Sequence, residues 1–231
     1  MLKVSFIIPT YNNQKTIEKC LKSIFEQSFN DYEIIVVNDG STDKTREILK
    51  KYRAKLKIID QPNQGAPAAR NRGFKVSTGE YIFFCDADIL LVKNALEKMV
   101  SALDNYPQAS YVYSSFHFGW KKFKLNPFDP EKLKQLNYIS ANSLIRRRDF
   151  PGWDESLKKF QDWDLWLTML EKGRSGIWIP EMLFKVQTKD SKISSWLPSF
   201  VYKIPWLKLK RVKEYEVGRE VVLKKHGLTT K

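Results

Sequence analysis

Between Tyr81 and Asp88 the chain reads Tyr-Ile-Phe-Phe-Cys-Asp-Ala-Asp, an apolar stretch that stops abruptly at two carboxylates. A short run of β-formers after a Thr-Gly turn signal reads as a buried central strand, with Asp86 and Asp88 where its carboxyl end meets solvent. Open α/β sheets bind their ligands at that edge. Two acids one residue apart can share a hard divalent cation, Mg²⁺ or Mn²⁺, whose remaining coordination positions accept the oxygens of a substrate diphosphate. Asp-x-Asp is also an ordinary solvated turn, so the residues before it decide which reading holds.

Those residues alternate strand and helix. Lys3 to Pro9 is a β-rich run closed by proline, followed by the turn and cap residues Thr10, Tyr11, Asn12 and Asn13. Ile17, Leu21, Ile24 and Phe25 then recur at helical spacing, and Tyr32 to Val37 is a second strand that ends in Asn38-Asp39-Gly40-Ser41-Thr42-Asp43. A helix through Ile48, Leu49 and Tyr52 and a strand from Leu56 to Ile59 lead to a connection containing Gly65, Arg70 and Gly73. This β-α-β order predicts parallel strands with right-handed crossovers in a doubly wound α/β sheet. Each strand then ends in a polar loop on one edge, so Tyr11, Asp39, Arg70 and the Asp86/Asp88 pair can converge on one ligand. Singly, each has a plain structural explanation. Jointly they supply an aromatic face for a base, an acceptor for its N–H, an arginine for phosphate and a metal dyad, which together describe a nucleotide-diphosphate site.

These motifs resemble a known family. Pro9-Thr10-Tyr11-Asn12, Val37 to Asp43, Asn63-Gln64-Gly65 with Ala69-Arg70-Asn71-Arg72-Gly73, and Asp86-Ala87-Asp88 are similar, as an ordered set, to the family 2 inverting glycosyltransferases of GT-A fold, over about residues 3–185. The resemblance implies that Pro9, Thr10, Tyr11, Asn12, Asp39, Gly65, Arg70, Asp86 and Ala87 bind the donor nucleotide. Within that set Tyr11 and Asp39 face the base, Arg70 lies near the diphosphate and Asp86 near the ribose or sugar. Asp88 is implied as the holder of Mn²⁺ or Mg²⁺. Ile89 stands where members often carry a further Asp.

Beyond the dyad, Asn94 to Leu103 is helical and Ser110 to Ser114 strand-like, and Phe116 to Lys124 interleaves aromatics with lysines. Such a stretch fits a nucleic-acid contact, a loop on a membrane or acceptor, or an exposed hairpin. A second constellation runs from Gly152 to Leu167. Leu165, Leu167, Met169 and Leu170 with the tryptophans suggest a helix, and Asp162 falls at or near its start, where a carboxylate is favoured as a cap and by the helix dipole. The resemblance implies a different task, that of general base, for Asp162, and an acceptor side formed by Trp153, Gln161 and Trp163. Gln161 replaces the Glu usual in the family. His117 and His226, outside these motifs, are expected to be incidental.

At 231 residues and 42% hydrophobic, the chain suits one catalytic body, expected over 1–189, with a basic aromatic extension over 190–231. Its two cysteines, Cys20 and Cys85, form neither a disulfide framework nor a zinc spacing, which points to a reducing, cytoplasmic setting. No apolar run reaches the roughly 20 residues of a spanning helix, and the first residues enter a strand without signal-peptide architecture. A net charge of +14 calls for an anionic partner.

The reaction implied is a single displacement with inversion at the anomeric carbon of a nucleotide-diphosphate sugar, UDP-linked by preference, with a glycan or lipid-linked acceptor. A sugar-phosphate nucleotidyltransferase would share the nucleotide half but needs no carboxylate to activate an alcohol. A basic nucleic-acid-binding module would explain the charge but not the ordered strand-end residues. Ser191 to Lys213 contains no acidic residue, and Trp196, Phe200, Tyr202 and Trp206 lie among its lysines. It reads either as a packed cover for the body or as a peripheral contact with an anionic membrane. Oligomeric state is left open.

Overall fold

The sheet is built outward from Val4–Thr10 (β1), every residue of which is buried. A strand with both faces covered must be apolar throughout rather than alternating, and Val-Ser-Phe-Ile-Ile-Pro-Thr satisfies this with a single serine. That serine is not wasted: Ser5 Oγ donates to Glu33 and accepts the Gly79 N–H, joining three neighbouring segments. The computed structural model describes residues 2–187 and 210–229.

Tyr32–Asp39 (β2) and Tyr81–Phe84 (β4) pair parallel to β1 on either side, and Lys57–Gln61 (β3) pairs parallel to β2. The crossovers are Ile17–Phe25 (α1), Thr45–Lys50 (α2) and Ala66–Val76 (α3). The predicted doubly wound half is thus present, with β4 ending one residue before Cys85-Asp86. The remaining described strands and α-helices are Ile89–Leu91 (β5), Ala95–Asn105 (α4), Tyr111–Phe118 (β6), Lys121–Phe123 (β7), Pro130–Gln135 (α5), Leu144–Arg146 (β8), Gln161–Glu171 (α6), Gly176–Val186 (β9) and Lys210–Lys225 (α7). The sheet runs β3-β2-β1-β4-β8-β6-β9-β5, with β7 hairpinned on β6. Beyond β4 it turns mixed: β8 is antiparallel to both β4 and β6.

Side chains on opposite sides of the pleat feed two cores. Phe6, Ile8 and Phe83 pack with α1 and α4, including Leu21, Ile24, Leu96 and Met99. Ile7, Ile82 and Phe84 face the other way, toward Trp163, Trp166 and Met169 of α6. Val222 and Leu223 of α7 are buried in this second core, so the described part of the C-terminal extension is built into the catalytic body. The expected boundary at 189/190 and most of Ser191 to Lys213 lie outside the described residues. Among the described residues no helix is long and apolar enough to cross a membrane.

Phe116 to Lys124 is a hairpin, with Phe116 stacked on Phe123 at 5.1 Å and Trp120 exposed at its tip. The two cysteines, which carry no sequence signal for each other, meet in the core at Sγ–Sγ 3.8 Å as free thiols. Burial pushes the Cys85 thiol well above its ordinary value, which keeps it protonated.

Gly73 seats α3 against β1. A Cβ there would lie 2.4 Å from Ile7 Cγ2, and Ile7 is wholly buried and cannot withdraw. Gly→Ala inside a helix ordinarily gains up to about 1 kcal/mol from propensity. Overpacking of this kind costs about 1–3 kcal/mol and should win at this position. Gly73→Ala is therefore expected to lower the urea midpoint, and an unchanged or raised midpoint would show that α3 is less tightly held.

Candidate active site

The loops after β1, β2 and β4 and the start of α3 enclose a cleft of about 250 Å³ at the carboxyl edge of the sheet, lined by Pro9, Thr10, Tyr11, Asn13, Asp39, Ala66, Arg70, Asp86, Ala87 and Asp88. The structure thus brings together most of the residues expected to hold the donor nucleotide. Asn12 and Gly65 shape the cleft without lining it. Asn12, at φ 53°, accepts the Thr42 N–H at 2.9 Å and so staples the β1 loop to the β2 loop. Gly65 takes φ 93°, a backbone conformation open to glycine, and in it donates its N–H to Asp39 at 2.9 Å.

Asp39 is buried, yet its carboxylate is well supplied: Oδ1 accepts from Gln61 at 2.8 Å and from the Gln64 N–H at 2.9 Å, and Oδ2 accepts from Gly65. A carboxylate offers about four acceptor positions, so one remains for an outside donor such as a base N–H. Beside it Tyr11 is 47% exposed, a ring free to act as a stacking face.

Asp86 and Asp88 are not equivalent. Asp86 Oδ1 accepts from Arg70 Nη2 at 2.7 Å and Oδ2 from Asn142 Nδ2 at 3.1 Å, while the Asp86 N–H donates to Asn142 Oδ1 at 2.8 Å. Each Asp86 oxygen thus accepts one hydrogen bond and keeps acceptor capacity on the side that faces the cleft, where Asp88 also lies. Asp88 lines the cleft with hard oxygen donors and no imidazole or thiol beside it, the chemistry that suits Mg²⁺ or Mn²⁺ and leaves room for phosphate oxygens. Among the described residues no group of three or more His, Cys, Asp or Glu could hold a metal, so a dedicated all-protein cage is not what these residues build.

Arg70 connects this cleft to the second constellation. Its guanidinium lies 4.5 Å from the Trp153 ring, Nη1 reaches Gln161 Oε1 at 3.5 Å, and Nε is buried with no protein partner. An orphaned buried donor beside a polar cleft suits a phosphate oxygen. Asp162 is the second residue of α6 rather than its cap: Phe160 holds the cap position, at φ 57°, and has no side-chain cap bond. Asp162 Oδ1 accepts from Asn137 Nδ2 at 2.9 Å and from the Trp163 N–H at 3.0 Å. Burial raises its carboxyl above the ordinary Asp value, against these two donors and the Arg70 charge, all of which favour the ionised form.

The expected acceptor side is only partly built as expected. Trp163 is 1% exposed and donates its indole N–H to the Leu133 carbonyl at 2.7 Å, so it is a core residue and faces no acceptor. Trp153 is also buried, beneath Arg70 and against Phe84 at 5.1 Å. Gln161 is half-buried and bonded to Arg70 and to the Leu157 carbonyl. Asn137 and Asn142, which hold Asp162 and Asp86, went unread because a lone Asn in a loop carries no pattern. His226 is not incidental to the structure: its side chain lies between Asp164 at 2.9 Å and Glu171 at 2.7 Å.

The glycosyl transferase family 2 description matches residues 5–155, and the chain belongs to that family. Among relatives, EpsE, a candidate glycosyltransferase of Bacillus subtilis, is 30% identical over 219 residues, spanning 87% of this chain and 78% of EpsE. The poly(ribitol-phosphate) β-N-acetylglucosaminyltransferase TarS of Staphylococcus aureus is 38% identical over 112 residues, covering 46% of this chain but only 20% of TarS. The solved structure of TarS 1–349 with UDP-GlcNAc superposes at TM-score 0.72 and 21% identity, over 99% of this chain and 74% of that one. A mannosyltransferase of Pyrobaculum calidifontis, solved with GDP-Man and Mn²⁺, gives TM-score 0.67 at 20% identity, over 83% and 58%. The fold is therefore GT-A.

Asp39→Ala should strand the Gln64 and Gly65 N–H groups and the Gln61 amide, each otherwise satisfied by that carboxylate. The expected loss is about 1–3 kcal/mol of unfolding free energy. A urea midpoint equal to wild type would show that water replaces the carboxylate without cost.

Proposed function

We propose that the protein is a metal-dependent inverting glycosyltransferase that moves a sugar from a UDP-sugar to an acceptor hydroxyl of a glycan or lipid-linked glycan. The observation that carries this reading is the joining of two carboxylate sites through Arg70: the cleft with Asp39, Asp86 and Asp88, and the half-buried Asp162 at the head of α6. UDP-GlcNAc in TarS, of similar fold, supports the choice of nucleotide.

Tyr11 offers its ring to the base and Asp39 its remaining acceptor position to a base N–H. The orphaned Nε of Arg70 faces the diphosphate, and Arg70 keeps Asp86 oriented for the ribose or sugar. Asp88 would hold Mn²⁺ or Mg²⁺, which when bound offsets charge on the departing diphosphate. Asp162 takes the proton of the acceptor hydroxyl, whose oxygen attacks the anomeric carbon opposite the leaving group, so configuration inverts. Burial raises the carboxyl, which makes Asp162 a stronger base than a solvated Asp.

Nucleotide release from UDP-, GDP- and dTDP-sugars, with Mn²⁺ or Mg²⁺ and an acceptor panel, tests the assignment. UDP release that depends on acceptor and cation is expected, and pyrophosphate production from sugar phosphate and a nucleoside triphosphate would instead mark a nucleotidyltransferase. Asp162→Asn keeps an acceptor oxygen for Asn137 and Trp163 but cannot take a proton, so transfer should fall by about 10²–10⁴-fold with UDP affinity and thermal midpoint near wild type. A fall in the midpoint with transfer retained would make Asp162 a helix-start residue only.

Asn137→Ala removes a donor that favours ionised Asp162, so the carboxyl should rise further. The acid limb of the rate profile then moves to higher pH, because the base is lost as pH falls through a higher value. A limb that stays in place, or moves down, would separate Asp162 from the rate.

A further inference from the structure

Phe160 is the unusual residue of the catalytic segment. A bulky L-residue in the left-handed region costs about 1–2 kcal/mol and persists only where its surroundings over-determine it. No glycine occupies this place, although Phe160 sets the direction in which α6 starts and so where Gln161 and Asp162 point. Its carbonyl accepts the Asp164 N–H at 3.0 Å, so the first helical hydrogen bond hangs from this strained residue.

What holds Phe160 is α7, the helix from beyond the family match. Tyr215 packs edge-on against the Phe160 ring at a centroid distance of 4.9 Å. Gly218 lies so close that a Cβ there would be 3.1 Å from Lys159 Cβ and 3.2 Å from Phe160 Cδ2, so the helix backbone itself rests on this turn. Ion pairs bracket the contact. Lys159 meets Glu214 at 2.9 Å before the turn, and Lys225 spans the two sides, reaching Asp154 at 2.7 Å and Asp164 at 2.6 Å. His226 adds Asp164 and Glu171, and burial of Val222 and Leu223 fixes the helix in depth. Every one of these partners lies between Asp154 and Glu171, the stretch that carries Asp162.

We propose that α7 is a positioning element of the active site, holding the left-handed turn at Phe160 through Tyr215, Gly218 and Lys225 and thereby aiming Asp162 at the acceptor. This rests on Asp162 as the base. Asp164, the second acid of the Asp162-Trp163-Asp164 motif, is on this account the anchor for α7 and performs no chemistry. The nucleotide cleft lies on other elements, so α7 serves the acceptor step and leaves donor binding alone.

The test uses the full chain with Tyr215→Ala and the milder Lys225→Gln, and Glu216→Ala on the exposed face of α7 as control. The deciding measurement is titration of the Asp162 side-chain carboxyl by ¹³C NMR, which needs neither donor nor acceptor. It is read with UDP affinity by calorimetry and the slow release of UDP from UDP-GlcNAc to water with Mn²⁺. In the two clamp variants the Asp162 midpoint should move down toward an ordinary carboxylate as the site opens, and UDP release should fall about 10-fold or more at unchanged UDP affinity, since misplacement by an ångström can cost up to about 10²-fold. Glu216→Ala should match wild type throughout. Should either clamp variant be too unstable to study, the other decides. Folded variants with a wild-type Asp162 titration would overturn the proposal, as would a loss of UDP affinity that tracks the loss of turnover, which marks general loosening. Undiminished UDP release by Asp162→Asn would remove the base assignment itself, while the titration would still report whether α7 aims that carboxyl.

Discussion

The Arg70–Asp86 pair is the contact on which the arrangement of the site depends. Arg70 comes from the buried face of α3 and Asp86 from the end of the central strand, and they meet at 2.7 Å with the arginine side chain 8% exposed. The Asp86 side chain is 35% exposed, so it is mainly the arginine that is desolvated, and removing the carboxylate would leave a buried lone charge. The consequence of the pair is geometric. With Asp86 held by Arg70 and Asn142, and Arg70 held against Trp153 and Gln161, the strand end, α3 and the head of α6 have one mutual orientation. The cleft and the head of α6 are joined through that guanidinium.

The half of the fold that carries the cleft was legible because its signals are strong and local. Buried parallel strands must be apolar throughout, their loops must begin with turn formers, and both patterns recur in register along the first 88 residues. The second half was legible in part: the helix from Asn94, the strand from Ser110 and the helix at Asp162 are α4, β6 and α6, but its short strands draw their identity from neighbours. Ile89–Leu91 and Leu144–Arg146 are three residues each, too short to show a period. Gly176–Val186 contains Pro180 and meets β6 through register shifts at Ser114 and Ser115, so no clean alternation survives. α7 alternates charge around most of its circumference and buries little beyond Val222 and Leu223, which gives it no apolar stripe to read.

At the site the same division holds. Aspartates at strand ends can be placed in one cleft from position, because the topology brings those ends to one edge. Trp153 and Trp163 could not be placed this way. An aromatic beside a catalytic acid looks the same in sequence whether it faces an acceptor or the core, and both of these face the core, with Trp163 bonded to Leu133. The polar residues that orient the carboxylates, Asn137 and Asn142, come from loops whose paths depend on the whole second core.

Asp162 sits under opposing influences whose balance explains its surroundings. The helix start, the Asn137 amide, the Trp163 N–H and the nearby arginine all favour the ionised form, and left alone they would make it a weak base. Burial opposes them and prevails. The Asp162 neighbours Phe160 and Trp163 pack in the second core, which also holds Val222 and Leu223. The head of α6 and the C-terminal helix are therefore seated by one set of contacts, while the cleft is lined by residues of β1, β2, α3 and the loop after β4.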